Sequence, residues 1–137
     1  MLEKNPETLK IVYKNFPIRS HKLARPATKA AMAANDQGKF WEFHDKIFSY
    51  ITSPSKVKLS SSELGNIPVT LGLDMPLYLE SMKNPTIDKI IDRDLREGQV
   101  AGVTGTPTLF LNGLKVNSRS FAGVQKMIDQ QLQKLNK

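Results

Sequence analysis

Gly102-Val103-Thr104-Gly105-Thr106-Pro107-Thr108-Leu109-Phe110-Leu111-Asn112-Gly113 is the stretch on which the fold turns. Upstream of it the apolar residues recur at helical spacing; within it the pattern shortens to that of a strand. Thr108–Leu111 reads as a strand. Asn112-Gly113 is the strongest short hairpin signal a sequence offers, because a tight turn there needs two residues that tolerate positive φ. Leu114-Lys115-Val116-Asn117 then returns beside the first strand. The bond before Pro107 is of the one kind for which cis geometry costs little. A cis turn at Thr106–Pro107 presents the Thr106 backbone at the surface, able to pair with an extended polypeptide. A trans proline opening an edge strand is the ordinary alternative.

Outward from this stretch the chain is mostly helical. A final helix, about 121–135, carries Phe121, Val124, Ile128, Leu132 and Leu135 on one face. On the other side, Asn84-Pro85 opens the longest candidate helix, roughly 86–101, with Ile87, Ile90, Ile91 and Leu95 as its buried face. Asp74 caps a short helix with Pro76 in its first turn. Ser60-Ser61-Ser62-Glu63 is a capping box for a helix to about Leu71, whose middle Pro68 disturbs. A helix over about 39–51 sets Phe40, Phe43, Ile47 and Ile51 in a stripe, flanked by Trp41, His44 and Phe48, and Ser53-Pro54-Ser55 breaks it. An alanine-rich helix, Ala27–Ala34, starts near Pro26 and ends at Gly38. Leu9–Phe16, bracketed by Pro6 and Pro17, reads as a strand, and the consecutive Ile11-Val12-Tyr13 fits one covered on both faces. The order is strand, four or five helices, hairpin, helix: an α/β arrangement with a helical insertion.

Composition excludes much. The 137 residues contain no cysteine and two histidines. Disulfides, thiolate nucleophiles, zinc ribbons and a three-histidine metal site are therefore not built from this sequence. No run of 18 apolar residues is present, and Met1–Pro6 lacks the apolar core of a secretory signal. Lys and Arg total 20 against 13 acids, a net charge of +7. The lysines are scattered and do not alternate with aromatics, so a solvated basic surface is expected and no nucleic-acid platform. Phe40, Trp41, Phe43 and Phe48 are expected in the helical core. His44 is expected to pack between helices with Asp45 facing solvent, and His21 to lie at the surface or cap a helix. Asp92, Asp94 and Glu97, alternating with Arg93 and Arg96, read as a solvated face. No catalytic residue, metal ligand or cofactor is nominated.

A family resemblance rests on several of these segments together. Val12-Tyr13-Lys14-Asn15-Phe16-Pro17, then His21, Ala24, Ala30-Ala31, the run Gly38-Lys39-Phe40-Trp41-Glu42-Phe43-His44-Asp45-Lys46-Ile47-Phe48, Gly98 and the Gly105-Thr106-Pro107-Thr108 loop resemble the DsbA-like thiol-disulfide oxidoreductases of the thioredoxin superfamily. The resemblance covers nearly the whole chain. It implies an incomplete thioredoxin-like fold with an inserted helical subdomain, Thr106-Pro107 being its cis-proline loop. Members carry a Cys-x-x-Cys pair at a helix start, one strand before the segment matching Val12–Phe16. Here Leu2-Glu3-Lys4-Asn5 corresponds to the last turn of that helix. The chain is thus expected to be a family member shortened at its N-terminus: one domain over 1–137 lacking the first strand and redox helix, with 22–101 a mostly helical insertion.

In that arrangement the missing strand would separate Ile11–Phe16 from Thr108–Leu111. A gap of about five residues leaves several backbone groups unpaired along each lip, each costing about 1–3 kcal/mol, against about 5–15 kcal/mol for a domain. Either the sheet closes directly or a second chain supplies a strand, a homodimer or strand-swapped oligomer being the foremost expectation. The implied activity is disulfide formation and exchange in extended or unfolded polypeptides, by a thiolate at a helix N-terminus. Without cysteine this chain is itself expected to be redox-inactive. The implied substrate-binding set is Val103, Gly105, Thr106, Pro107 and Phe110, with Val103 and Phe110 lining an apolar groove. A non-catalytic, chaperone-like peptide-binding module is the alternative. A glutathione-using isomerase of the same fold is a weaker one, since it needs a serine near an N-terminal region with no counterpart here. The resemblance also implies the periplasm or cell envelope for a full-length relative.

Overall fold

Alanine decides the packing of the first long helix. In α1 (Ala24–Asn35), Ala27, Ala30, Ala31, Ala33 and Ala34 are buried, and so small a face lets α2 (Phe40–Thr52) and α4 (Met75–Lys83) come close on it. Phe43, Ile47, Ile67, Leu73, Tyr78, Ile87 and Ile91 complete this core, with the Phe43 and Tyr78 rings stacked 6.3 Å apart. The computed structural model describes residues 2–52 and 58–135, so the break expected at Ser53-Pro54-Ser55 lies outside the described residues. The chain divides into two compact units, Lys14–Gly98, and Met1–Tyr13 with Gln99–Lys137.

The helix boundaries of the first unit follow their capping chemistry. Ser60 and Glu63 form the capping box of α3 (Ser61–Thr70). Helix α3 runs through Pro68, which forfeits one backbone bond. Ile67 and Pro68 are both buried, which offsets that loss. Asp74 caps α4 by accepting from the Leu77 N–H at 3.0 Å, and its backbone pairs twice with the Gln37 side chain just past α1. Helix α5 (Pro85–Val100) starts at the proline itself.

The acidic face of α5 corrects the sequence reading at one position. Asp94 is only 3% exposed, not solvated. Its Oδ2 accepts from the Asn15 backbone N–H at 3.0 Å and the Asn15 Nδ2 at 2.8 Å, while Lys14 and Arg93 reach Oδ1. Burial works against the charge. The Asn15 donors and the two cations outweigh it and hold the carboxyl below its ordinary range. Arg25 bridges α1 to Asp88 and Asp92, and Lys29 also reaches Asp88.

A second correction concerns the aromatics of α2. Phe43 is fully buried, but Trp41 is 49% and Phe48 43% exposed. At about 100° per residue these two lie roughly 120–140° around the helix from the Phe43–Ile47 arc. The His44 ring lies against Phe48, Trp41 and Phe40 of its own helix, at 4.5, 5.5 and 6.2 Å. Its Nδ1 is 2.9 Å from the solvent-facing Asp45 carboxylate.

The second unit contains a short 3-10 turn, Leu2–Lys4, then a hairpin and a helix. Strands β1 (Phe110–Leu111) and β2 (Leu114–Lys115) pair antiparallel, Phe110 opposite Lys115 and Leu111 opposite Leu114. Asn112 and Gly113 turn between them with φ of 48° and 79°, the combination the Asn-Gly pair was expected to supply. Helix α6 (Phe121–Leu135) follows. Reciprocal amide bonds between Asn5 and Gln125, at 3.0 and 3.2 Å, and Lys4 over the Phe121 ring tie the N-terminal segment to α6. Leu9–Phe16 is not a strand. A strand exists by its ladder, and Lys10, Ile11 and Val12 make no backbone hydrogen bond among the described residues. The sheet there has two strands, so among the described residues the hairpin does not close directly onto the Leu9–Phe16 segment.

Candidate functional site

Helix α5 ends at Val100, and Gly102, with φ of 72°, releases the chain into the loop that precedes β1. Val103 is half-buried, whereas Gly105, Thr106 and Pro107 are exposed. The Thr106–Pro107 peptide is cis. The Thr108 hydroxyl donates back across the loop to the Gly105 carbonyl at 2.6 Å. From the far side Arg119 donates to the Pro107 carbonyl at 3.4 Å. Beyond the loop the Val116 N–H bonds to the Leu109 carbonyl at 2.9 Å, extending the hairpin by one rung.

Among the described residues, neither the N–H nor the C=O of Thr106 has a hydrogen-bond partner. The outer edge of β1 is likewise unpaired. Together they form an open edge that starts at an exposed backbone and runs into a strand. Phe110 is 41% exposed on that strand, with Lys115 directly opposite. Directly opposed residues of an antiparallel pair project to one face, so an aromatic ring and a cation stand side by side there.

The loop and β1 thus hold four of the five nominated residues, Gly105, Thr106, Pro107 and Phe110, at the surface, with Val103 partly covered. Sequence reasoning missed Thr108, Lys115 and Arg119. The position of Lys115 was legible, since a two-residue turn at Asn112-Gly113 sets Phe110 against it. Arg119 lies in the irregular stretch before α6, where no periodicity flags it. Among the described residues no group of three His, Asp or Glu is arranged to hold a metal ion. A shallow polar depression of about 440 Å³ lined by Asp36, Glu80, Ser81, Lys83, Asn84 and Pro85 contains none of the loop residues.

Comparison with known proteins places these features in a family. A family model described as Thioredoxin matches residues 2–130. The thiol-disulfide exchange protein alpha-DsbA2 of Wolbachia pipientis is similar in structure, with a TM-score of 0.73 and 20% identity over 92% of this chain and 67% of that one. Among curated sequences, the Na(+)/H(+) antiporter NhaA 1 of Salinispora arenicola is 31% identical over 106 residues, and NhaA 3 of Salinispora tropica 30% over 107. NhaA of Herminiimonas arsenicoxydans is 27% identical over 110. Each match takes 77–80% of this chain but spans only 16–17% of the antiporter. Among the described residues no helix of this chain is long and apolar enough to cross a membrane. The chain belongs to the thioredoxin family and has the DsbA-like form of its fold, helical region included.

Proposed function

We propose that this chain holds extended or unfolded polypeptide for thiol-disulfide exchange without itself supplying the thiolate. The observation that carries this is the open edge at exposed Thr106: a backbone N–H and C=O without partners among the described residues, next to the unpaired side of β1. An extended segment adds there as a further strand, its main chain pairing with Thr106 and its side chains meeting Val103 and Phe110. Exchange itself needs a thiolate to attack a disulfide sulfur, and none of the 137 residues is a cysteine. Holding is therefore the part of the reaction that these residues perform.

Two measurements test this. In an insulin-reduction assay the purified chain gives no turnover above buffer; turnover overturns the redox-silent part. In a fluorescence-anisotropy screen of extended peptides, Thr106→Arg, which fills the edge with a bulky side chain, weakens binding about tenfold or more. That is the scale of two backbone hydrogen bonds at about 0.5–1.5 kcal/mol each. Binding that ignores the substitution refutes the site.

A second copy of the chain is another source of a strand. In this unit only Val116 and Ile128 are buried apolar residues among those described, while Ile11, Val12, Leu109 and Leu114 are 42–66% exposed. Size-exclusion chromatography with light scattering is expected to show a dimer that dissociates on dilution; a monomer at every concentration overturns this.

A further inference from the structure

We infer that the polypeptide taken up along Thr106–Phe110 is acidic, an extended segment with a carboxylate next to an apolar residue. This deepens the function proposed above and rests on it. Two cations stand beside β1 and its loop. Lys115 opposes Phe110 across the hairpin, and Arg119 stands at the loop with one guanidinium nitrogen on the Pro107 carbonyl. Arginine has five N–H donors, so most of the Arg119 fork remains open to a second acceptor.

Among the described residues neither cation has a carboxylate partner. Among the described residues the ion pairs all fall in Lys14–Gly98, where Arg25, Lys29, Lys39, Arg93 and Lys14 each meet an acid. In the unit that carries the loop, the acids are Glu3, Glu7 and Asp129, and Asp129 accepts from Gln125 instead of a cation. Lys115 and Arg119, exposed and without an acid among the described residues, are left for a carboxylate supplied from outside. A strand laid against β1 brings alternate side chains over the Phe110–Lys115 face. An apolar side chain there meets the ring, and a carboxylate meets the cations.

The test uses the full chain and three extended peptides of one length that differ at two positions, carrying Glu, Gln or Lys. By fluorescence anisotropy at about 25 mM salt, the Glu peptide is expected to bind about three- to tenfold tighter than the Gln peptide, and the Lys peptide more weakly than either, the scale of exposed ion pairs. The difference closes at about 0.5 M salt, where screening is strong. The double substitution Lys115→Glu/Arg119→Glu, at two exposed positions, reverses the order. Equal binding of the Glu and Gln peptides, or an order that survives the charge reversal, overturns the inference. If the Gln peptide binds and loses affinity in Thr106→Arg while Glu brings no gain, only the acidic preference falls. If none of the three binds, the proposed function falls and the inference with it.

Discussion

Replacing Asp94 by alanine separates a buried clamp from a solvated acid. The substitution removes the acceptor for the Asn15 N–H and Nδ2, at 3.0 and 2.8 Å, in a site where Asn15 and Asp94 are 4% and 3% exposed. A hydrogen bond to a charged group contributes about 1.5–3 kcal/mol, and both donors are left buried without it. Lys14 and Arg93 are half-exposed, and each of their pairings adds no more than about 1 kcal/mol. The expected loss is about 3–5 kcal/mol, or roughly 2 M in urea midpoint at a slope of about 2 kcal/mol/M. Glu97→Ala is the control. That acid is half-exposed beside the same two cations, and its loss costs about 1 kcal/mol or less. Urea denaturation followed by circular dichroism reads both. A midpoint shift for Asp94→Ala no larger than that for Glu97→Ala refutes the clamp. The carboxyl is held below its ordinary value of 3.8 in the folded chain. Its contribution is therefore complete above that value and lost as pH falls through the folded pKa. The stability difference between the native chain and Asp94→Asn accordingly narrows as pH drops below about 4.

Three further outcomes are expected. Burial pushes the Tyr78 phenol from 10.0 up to about 12, favouring the neutral form in the folded state. Its contribution, about 2–3 kcal/mol at most, is whole below pH 10 and lost as pH rises from there towards 12, so Tyr78→Phe has a flatter alkaline limb in denaturation against pH; parallel limbs count against the burial. Phe43→Ala empties the centre of the helical core and costs about 3–5 kcal/mol by urea denaturation; a loss under 1 kcal/mol means the ring is not enclosed. A methyl group on Gly123 would come within 2.6 Å of Ser118 Cβ. Gly123→Ala is thus expected to lose about 1–3 kcal/mol despite the gain in helix propensity, and adding Ser118→Gly to restore it; a more stable single variant refutes the close approach.

The helices were legible because their signals are local. The capping box at Ser60–Glu63, the Asp74 cap and the stripe on α6 each need only a few neighbouring residues, and each element formed where those residues stand. The hairpin turn was legible for the same reason. Leu9–Phe16 failed because a strand depends on a partner that composition cannot show: its β-branched and aromatic content is right, but the sheet among the described residues holds only β1 and β2. Asp94 failed for the converse reason. Among alternating charges on one helix nothing local separates it from Asp92, and only a partner 79 positions away, Asn15, makes it buried. At the site, the Gly105–Pro107 loop was marked by its own residues. Arg119 reaches it across 12 positions through a carbonyl, a group every residue carries, and so left no mark.

The physics of the loop unit joins recognition to stability. It places Val116 and Ile128 under cover, yet leaves Ile11, Val12, Leu109, Phe110, Leu114 and Phe121 at 41–66% exposure. Burying one such side chain contributes about 1.5–3 kcal/mol, so the unit holds unspent capacity on the scale of a domain's net stability. An incoming strand uses that capacity twice, once through its main chain and once through the faces it covers. A ligand that binds only the folded form stabilises it by RT ln(1 + [L]/Kd). For the proposed function the consequence is direct: filling the edge with the chain's own residues would raise stability and remove the proposed docking place.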